Sequence, residues 1–235
     1  MQTAPQHFFP AAGERITGED TFIRSVYRWM FGGLTLTTLA AFWVASSAGL
    51  QRLLFDTPGL ALGLFVAEIV LVFVLSAAVN RLTPPTAAAM FLVYSLLNGF
   101  TLSSLALVYA TSEIFQAFAT AALMFAAMSI YGFATKKDLT SWGAFLFMAL
   151  IGLVIASFIS HFSRWPEFTF TVTVMGVFVF LGLTAWDTQK LKTLAATVDE
   201  EHAASYAVVG ALSLYLDFLN IFLMSLRLFG RRERR

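Results

Sequence analysis

The 235-residue chain has no cysteine, which excludes disulfides, thiolate nucleophiles and Cys-ligated metals and leaves the redox state of its compartment open. Charge is scarce as well: Asp, Glu, Lys and Arg make up 12% of the residues, about half of the roughly 25% in an average soluble domain. The 15 basic and 14 acidic residues leave a net charge of +1, so there is no broad electrostatic footprint for nucleic acid. HExxH, GxSxG and P-loop motifs are missing, and the three histidines, His7, His161 and His202, are scattered. We therefore expect neither an enzyme nor a bound cofactor.

What the chain has in excess is apolar surface. Hydrophobic residues are 58% of the total, 25 residues are Phe, and the mean hydropathy is +0.76. A soluble fold of this size could not hide that much, so most of it must face hydrocarbon. Seven segments stand out, near 29–49, 59–79, 87–110, 114–134, 142–162, 168–189 and 204–229. Each approaches or exceeds the ~20 residues that cross a bilayer as helix. They lack the period-2 alternation of an outer-membrane barrel, and helices satisfy their own backbone groups in lipid. The spacing predicts an all-α integral membrane protein, a seven-transmembrane-helix bundle with short loops. Residues 1–24 read as a polar, mobile tail, 25–230 as the transmembrane domain and 231–235 as a basic C-terminal tail. The first apolar run starts late and is too long for a cleavable signal.

The tail and the loops after spans two, four and six carry eight Lys and Arg, and the opposite loops carry two. This asymmetry predicts a cytoplasmic N-terminus. Arg227, Arg231, Arg232, Arg234 and Arg235 lie beyond or at the end of the last span and pull the other way.

Charged groups inside spans are costly, so each is a functional candidate. Three carboxylates qualify: Glu68, Asp187 and Asp217. Helical spacing puts Ser213, Asp217, Asn220 and Met224 on one face of the seventh span, which should point into the bundle. Asp187 lies near the end of the sixth span, with Lys190 three residues on. Straight helices joined by a short loop would leave Asp187 and Asp217 some turns apart in depth. A frayed start to the seventh segment near Asp199–Ser205 would close the gap. If the two meet, they cannot both ionise cheaply and would share a proton. Such a pair is also a candidate calcium site, because hard cations take carboxylate oxygen. An intramembrane aspartyl protease would use two facing aspartates too, but its YD and GxGD motifs are missing. Glu68, near mid-membrane, is a candidate pathway carboxylate, and Arg81 closes the same span. Tyr94, Asn98, Thr101 and Ser104 form a second inward polar face. Gly132, Gly152, Gly176 and Gly182 read as close-packing positions, and Trp29, Trp142, Trp165 and Trp186 suit the interfacial belt.

The segments TFIRSVYRWMFGGLTLT (21–37), NGFTLSS, IYGFATKKDLT (130–140), Asp187–Thr188–Gln189 and above all SLYLDFLNIFLMSLRLFG (213–230) carry a resemblance. On them the chain resembles a bacterial member of the Bax-inhibitor family, the transmembrane Bax-inhibitor-motif proteins. The resemblance implies a seven-helix bundle with the last helix central, in the bacterial inner membrane. It also implies a pH-sensitive passive calcium leak, with Asp187 and Asp217 matching the aspartate pair that senses pH. In some relatives an arginine late in the second helix latches that pair. Here Val79 and Asn80 lie near that position and Arg81 is the nearest base. Other bacterial relatives modulate a membrane-bound AAA-type protease, for which residues 1–20 would be the handle. A proton-coupled small-solute transporter is the third reading. The expected partners are thus the lipid bilayer, calcium, protons and a membrane protease, with no nucleic acid; Asn98 and Asn220 join Glu68 as pathway candidates.

Overall fold

A computed structural model describes residues 12–230 other than Pro58 and Arg164. Among these residues the chain is helical, with no strand. The helices are α1 (Ala12–Ala45), α2 (Ala48–Asp56), α3 (Leu60–Ala77), α4 (Pro84–Leu102), α5 (Leu105–Val108), α6 (Thr111–Ala134), α7 (Thr140–Ser163), α8 (Pro166–Ala195) and α9 (Glu200–Phe229), with a 3-10 turn at Val79–Arg81. Five of them, together with the joined α4–α5 segment, give six spans long and apolar enough to cross a membrane. The pair α1–α2, bent by 97°, makes a seventh if counted as one span.

Starts and stops follow local chemistry. Prolines occupy the first turn of α4 and α8, where their missing N–H costs nothing. Gly59 begins α3 at φ 80°, a conformation that suits a residue without Cβ. The Glu113 side chain accepts from Ala110 N at 3.2 Å, and Asp138 Oδ1 accepts from Thr140 N at 2.8 Å, satisfying amides that open α6 and α7. These bonds from Thr140 hold the exposed Asp138 carboxyl below the usual carboxylate range.

The last helix is the hub. Helix α9 packs against α1, α3, α4, α6, α8 and the 3-10 turn, and Ala207, Ala211, Leu214, Tyr215 and Ile221 are fully enclosed. Around it, aromatic and aliphatic side chains such as Phe65, Phe73, Leu123, Met148 and Phe158 face outward, as a lipid-contacting surface requires.

Three segments differ from the sequence expectation. Helix α1 begins at Ala12, so residues 12–24 of the expected tail are helical; residues 1–11 and the basic tail 231–235 lie outside the described residues. The reason is a stripe at helical spacing, Phe22, Val26, Met30 and Leu34, all buried against the core, which a search for span-length apolar runs passes over. The expected first span breaks at Ser46–Ser47, where Ser47 caps α2 by accepting from Leu50 N. The expected third span is interrupted at Ser103–Ser104. Their hydroxyls donate to Phe100 O (2.6 Å) and Thr101 O (2.9 Å), and the backbone shortens to three-residue bonds there. Serine hydroxyls compete in this way with the helix ladder.

Close approaches fix the helix pairs. A Cβ on Gly132 would collide with the Ala185 backbone of α8, one on Gly182 would meet Leu146, and one on Gly176 would press on Met224. Gly33 and Gly99 do the same for α1 against α4, where a Cβ would fall 2.5 Å from Phe91 and from Thr37 O respectively. Gly152 has nothing within 4 Å, so it is not a packing position. Trp142 and Trp165 are exposed, whereas Trp29 packs edge-on against Phe91 at 6.4 Å and Trp186 lies over Gly143.

Candidate functional site

The site lies where α8 runs antiparallel to α9. Leu191 sits against Gly210 and Met224 against Gly176. Between these two contacts, Thr184 lies beside Asp217. All three pairs belong to one register. It sets Asp187 about one helical turn, near 5 Å of rise, toward the N-terminal end of the bundle from Asp217. The two carboxylates are near enough for their charges to interact. They meet without fraying, because α9 is regular helix from Glu200. The turn at 196–199 instead starts α9 several residues beyond the level at which α8 ends.

Asp217 is buried and Asp187 half-buried. The Thr184 hydroxyl, fully enclosed, donates to Phe180 O at 2.8 Å. Asp217 Oδ2 and the hydroxyl of Thr188, one turn from Thr184, are buried without a hydrogen-bond partner. Unpaired buried polar atoms are costly; the other two among the described residues are Ser129 Oγ and Ser225 Oγ. Among the described residues no group of three or more His, Cys, Asp or Glu side chains is placed to hold a metal ion. Two carboxylates and two hydroxyls fall short of the six to eight oxygens of a tight calcium cage.

Lys190 is close enough to Asp187 to attract its charge, and its Nζ lies 5.0 Å from the Trp186 ring centroid. Arg81 is exposed in the 3-10 turn; among the described residues it forms no ion pair with Asp187 or Asp217. The same turn is tied to α9 by other groups: Ser205 Oγ donates to Leu82 O at 3.0 Å, and the Tyr206 hydroxyl donates to Asn80 Oδ1.

Glu68 forms a separate polar site between α3 and α4. It is buried, and it accepts from Thr101 Oγ1 at 2.6 Å, just before the Ser103–Ser104 break. Tyr94 is close enough to feel its charge, and Asn98 lies beside Tyr94. Asn220 donates its amide to Leu216 O at 2.8 Å, a bond within its own helix.

Two polar arrangements were not visible in the sequence. Thr37 Oγ1 donates to Ser95 O at 2.8 Å and lies 2.6 Å from the Tyr215 hydroxyl. The single Thr37 hydrogen is committed to Ser95, so Tyr215 is the donor to Thr37. This chain joins α1, α4 and α9 in the buried core, with Phe91 and Tyr94 edge-on to the Tyr215 ring at 5.7 Å. The second arrangement is a clamp by Gln189. Its Oε1 accepts from Leu139 N and its Nε2 donates to Lys137 O, both at 2.8 Å, fixing the turn after α6 to α8. A glutamine two residues beyond Asp187 was the available signal.

Residues 19–234 match the family model described as inhibitor of apoptosis-promoting Bax1. The chain is 45% identical over 219 residues to the inner membrane protein YbhL of Escherichia coli strain K12, covering 92% of this chain and 94% of that one. It is 40% identical over 214 residues to a Deinococcus radiodurans protein, covering 91% of each. It is 38% identical over 218 residues to a membrane protein of Streptococcus pyogenes serotype M1, covering 92% of this chain and 95% of the relative. The chain belongs to the Bax-inhibitor family.

Proposed function

We propose that this Bax-inhibitor family member is a passive, pH-sensitive calcium leak of the bacterial inner membrane, gated by Asp187 and Asp217 and without enzymatic activity. One observation carries the reading: two interacting carboxylates on neighbouring helices, one enclosed at the centre of the bundle, where Asp217 Oδ2 and the Thr188 hydroxyl have no hydrogen-bond partner. The inner-membrane placement is supported by the name of the Escherichia coli relative, and the cytoplasmic N-terminus by the distribution of Lys and Arg.

The chemistry follows from competition. Two nearby carboxylates hold a shared proton more readily than two charges. A divalent cation competes with protons for the same oxygens, and the incomplete oxygen set binds it weakly enough for passage. Proton loss or gain then biases how α8 sits on α9, a two-state element set by local charge. Glu68, at the interrupted α4–α5 span, is a second carboxylate along the route, with Asn98 beside it. Asn220, bonded within its helix, is the weaker pathway candidate. Arg81 is within the set of residues to test as a latch, through the turn that Tyr206 and Ser205 attach to α9.

Calcium flux into proteoliposomes across pH 6–8 tests this. Wild-type flux should vary with pH, and Asp217→Asn should lose that variation while remaining folded. Wild-type flux and pH response in Asp217→Asn would overturn the gate. The protease-regulator reading rests on residues 1–20, and truncating residues 1–11 separates it, since flux should persist in the truncated chain.

A further inference from the structure

A groove of about 600 Å³ opens along the outside of the bundle between α1 and α6. Phe31, Leu34 and Leu39 line one wall, Ala122 and Ala126 the other, and Phe218 of α9 the floor. From Tyr27 to Leu39 it follows twelve residues of α1, about 18 Å at 1.5 Å per residue. Phe31, Leu39 and Ile130 on its lips are more than half exposed, so in a membrane the groove opens to hydrocarbon.

A second cavity, about 410 Å³, lies at one end of this groove. Lys136, Lys137, Lys192, Gln189, Glu19 and Asp138 line it. Phe133 walls the groove, and Thr135, two residues on, lines the cavity. Lys192 Nζ donates to Phe133 O at 2.9 Å and lies 5.4 Å from its ring centroid. On α1, Glu19 of the polar cavity and Tyr27 of the groove are eight residues apart, about two turns. The wall of the polar cavity is braced by Gln189, which bonds both Lys137 O and Leu139 N. Lys192 is engaged by the α6 carbonyl. Among the described residues the side chains of Lys136 and Lys137 make no hydrogen bond.

An apolar slot open to the bilayer, ending in a polar cavity at its edge, has the shape of one amphiphile. We propose that the groove and the cavity together hold a single phospholipid of net negative headgroup charge, its phosphate against Lys136 and Lys137 and one acyl chain along α1 and α6. The headgroup sign follows from charge complementarity: three lysines face two carboxylates, leaving one positive charge for a phosphodiester. A zwitterionic headgroup would bring its own ammonium into that cavity. Basic cavities between helices at the membrane edge bind anionic headgroups by the same attraction.

Native mass spectrometry of the full chain released from detergent tests this, titrating dioleoyl phosphatidylglycerol, dioleoyl phosphatidylethanolamine and glycerol 3-phosphate. One phosphatidylglycerol should bind per chain, several-fold tighter than phosphatidylethanolamine. Lys136→Gln with Lys137→Gln should weaken phosphatidylglycerol roughly tenfold and leave phosphatidylethanolamine unchanged. Ala126→Phe, which fills the groove from an exposed wall position, should weaken both lipids. If that variant does not fold, Thr35→Phe blocks the groove from the opposite wall. Glycerol 3-phosphate, which has no chain, should not displace the lipid. The proposal is overturned by non-saturable lipid attachment, by equal binding of the two lipids, by displacement with glycerol 3-phosphate, or by groove-blocked chains that bind as wild type does.

Discussion

Helices α3 and α9 invert the usual relation between hydropathy and burial. The most apolar window of α3 has a mean hydropathy of 2.6 and is 11% buried, while that of α9 has 1.9 and is 72% buried. In water the more apolar helix would be the inner one. In a bilayer the surrounding solvent is itself hydrocarbon, so apolar side chains gain nothing by turning inward. Polar groups do gain, because the interior is where they find partners. Helix α3 shows this within itself: its buried residues are Glu68 and Leu75. The central helix is therefore recognisable by Asp217, Tyr215 and Ser205 rather than by its apolar content.

Substitutions on the two helices should separate accordingly. The largest loss is expected from Ala211→Leu. Ala211 is 0% exposed in α9, and forcing extra methylenes into a close-packed contact costs about 1–3 kcal/mol. An SDS-titration unfolding midpoint measures it, and an unchanged midpoint would remove α9 from the tightly packed centre. Tyr215→Phe should come next, near 1 kcal/mol. It deletes the donor to Thr37 and keeps the ring contacts with Phe91 and Tyr94. Thr37→Val in the same background should add less than it costs alone, because the two share a bond. Phe73→Ala on α3 should be smallest, within about 0.5 kcal/mol, since that ring is 70% exposed to lipid. A loss there equal to that of Ala211→Leu would break the contrast between the helices.

The same physics explains what the sequence disclosed. Charged residues inside apolar runs are few because they are expensive, so Asp187, Asp217 and Glu68 could be picked out without a structure. The expected inward face of the last helix was only half right: Asp217 and Met224 are buried, but Ser213 and Asn220 fall on the less buried stripe with Leu216 and Leu223, because the central helix is enclosed nearly all round by apolar residues. Span positions were legible because length and hydropathy suffice for them. The start of α1 was not, since Phe22 and Val26 sit among polar residues and are anchored by spacing rather than by a continuous apolar run. The interruption at Ser103–Ser104 depends on hydroxyl bonds that compete with the helix ladder, which composition does not reveal. The depth of Asp187 relative to Asp217 depends on how far the turn at 196–199 carries the chain before α9 starts. The Thr37–Tyr215 contact joins residues 178 positions apart, and no local pattern encodes it. Gly132 and Gly152 look alike in the sequence, yet only Gly132 meets a neighbouring backbone. Which glycine faces a helix and which faces lipid is settled by the assembled bundle.

The contact at Gly132 bears on how such a bundle can move. The backbone of Ala185 rests where a side chain on α6 would otherwise stand, and the α6 neighbours one turn away on that face are larger, Ser129 among them. A piston-like slide of α8 by one turn would bring Ala185 against a side chain with no room for it. Rocking about this point keeps the close approach intact. Gly132 thus fixes the height of α8 on α6, and Asp187, two residues beyond Ala185, is held close to that fixed point.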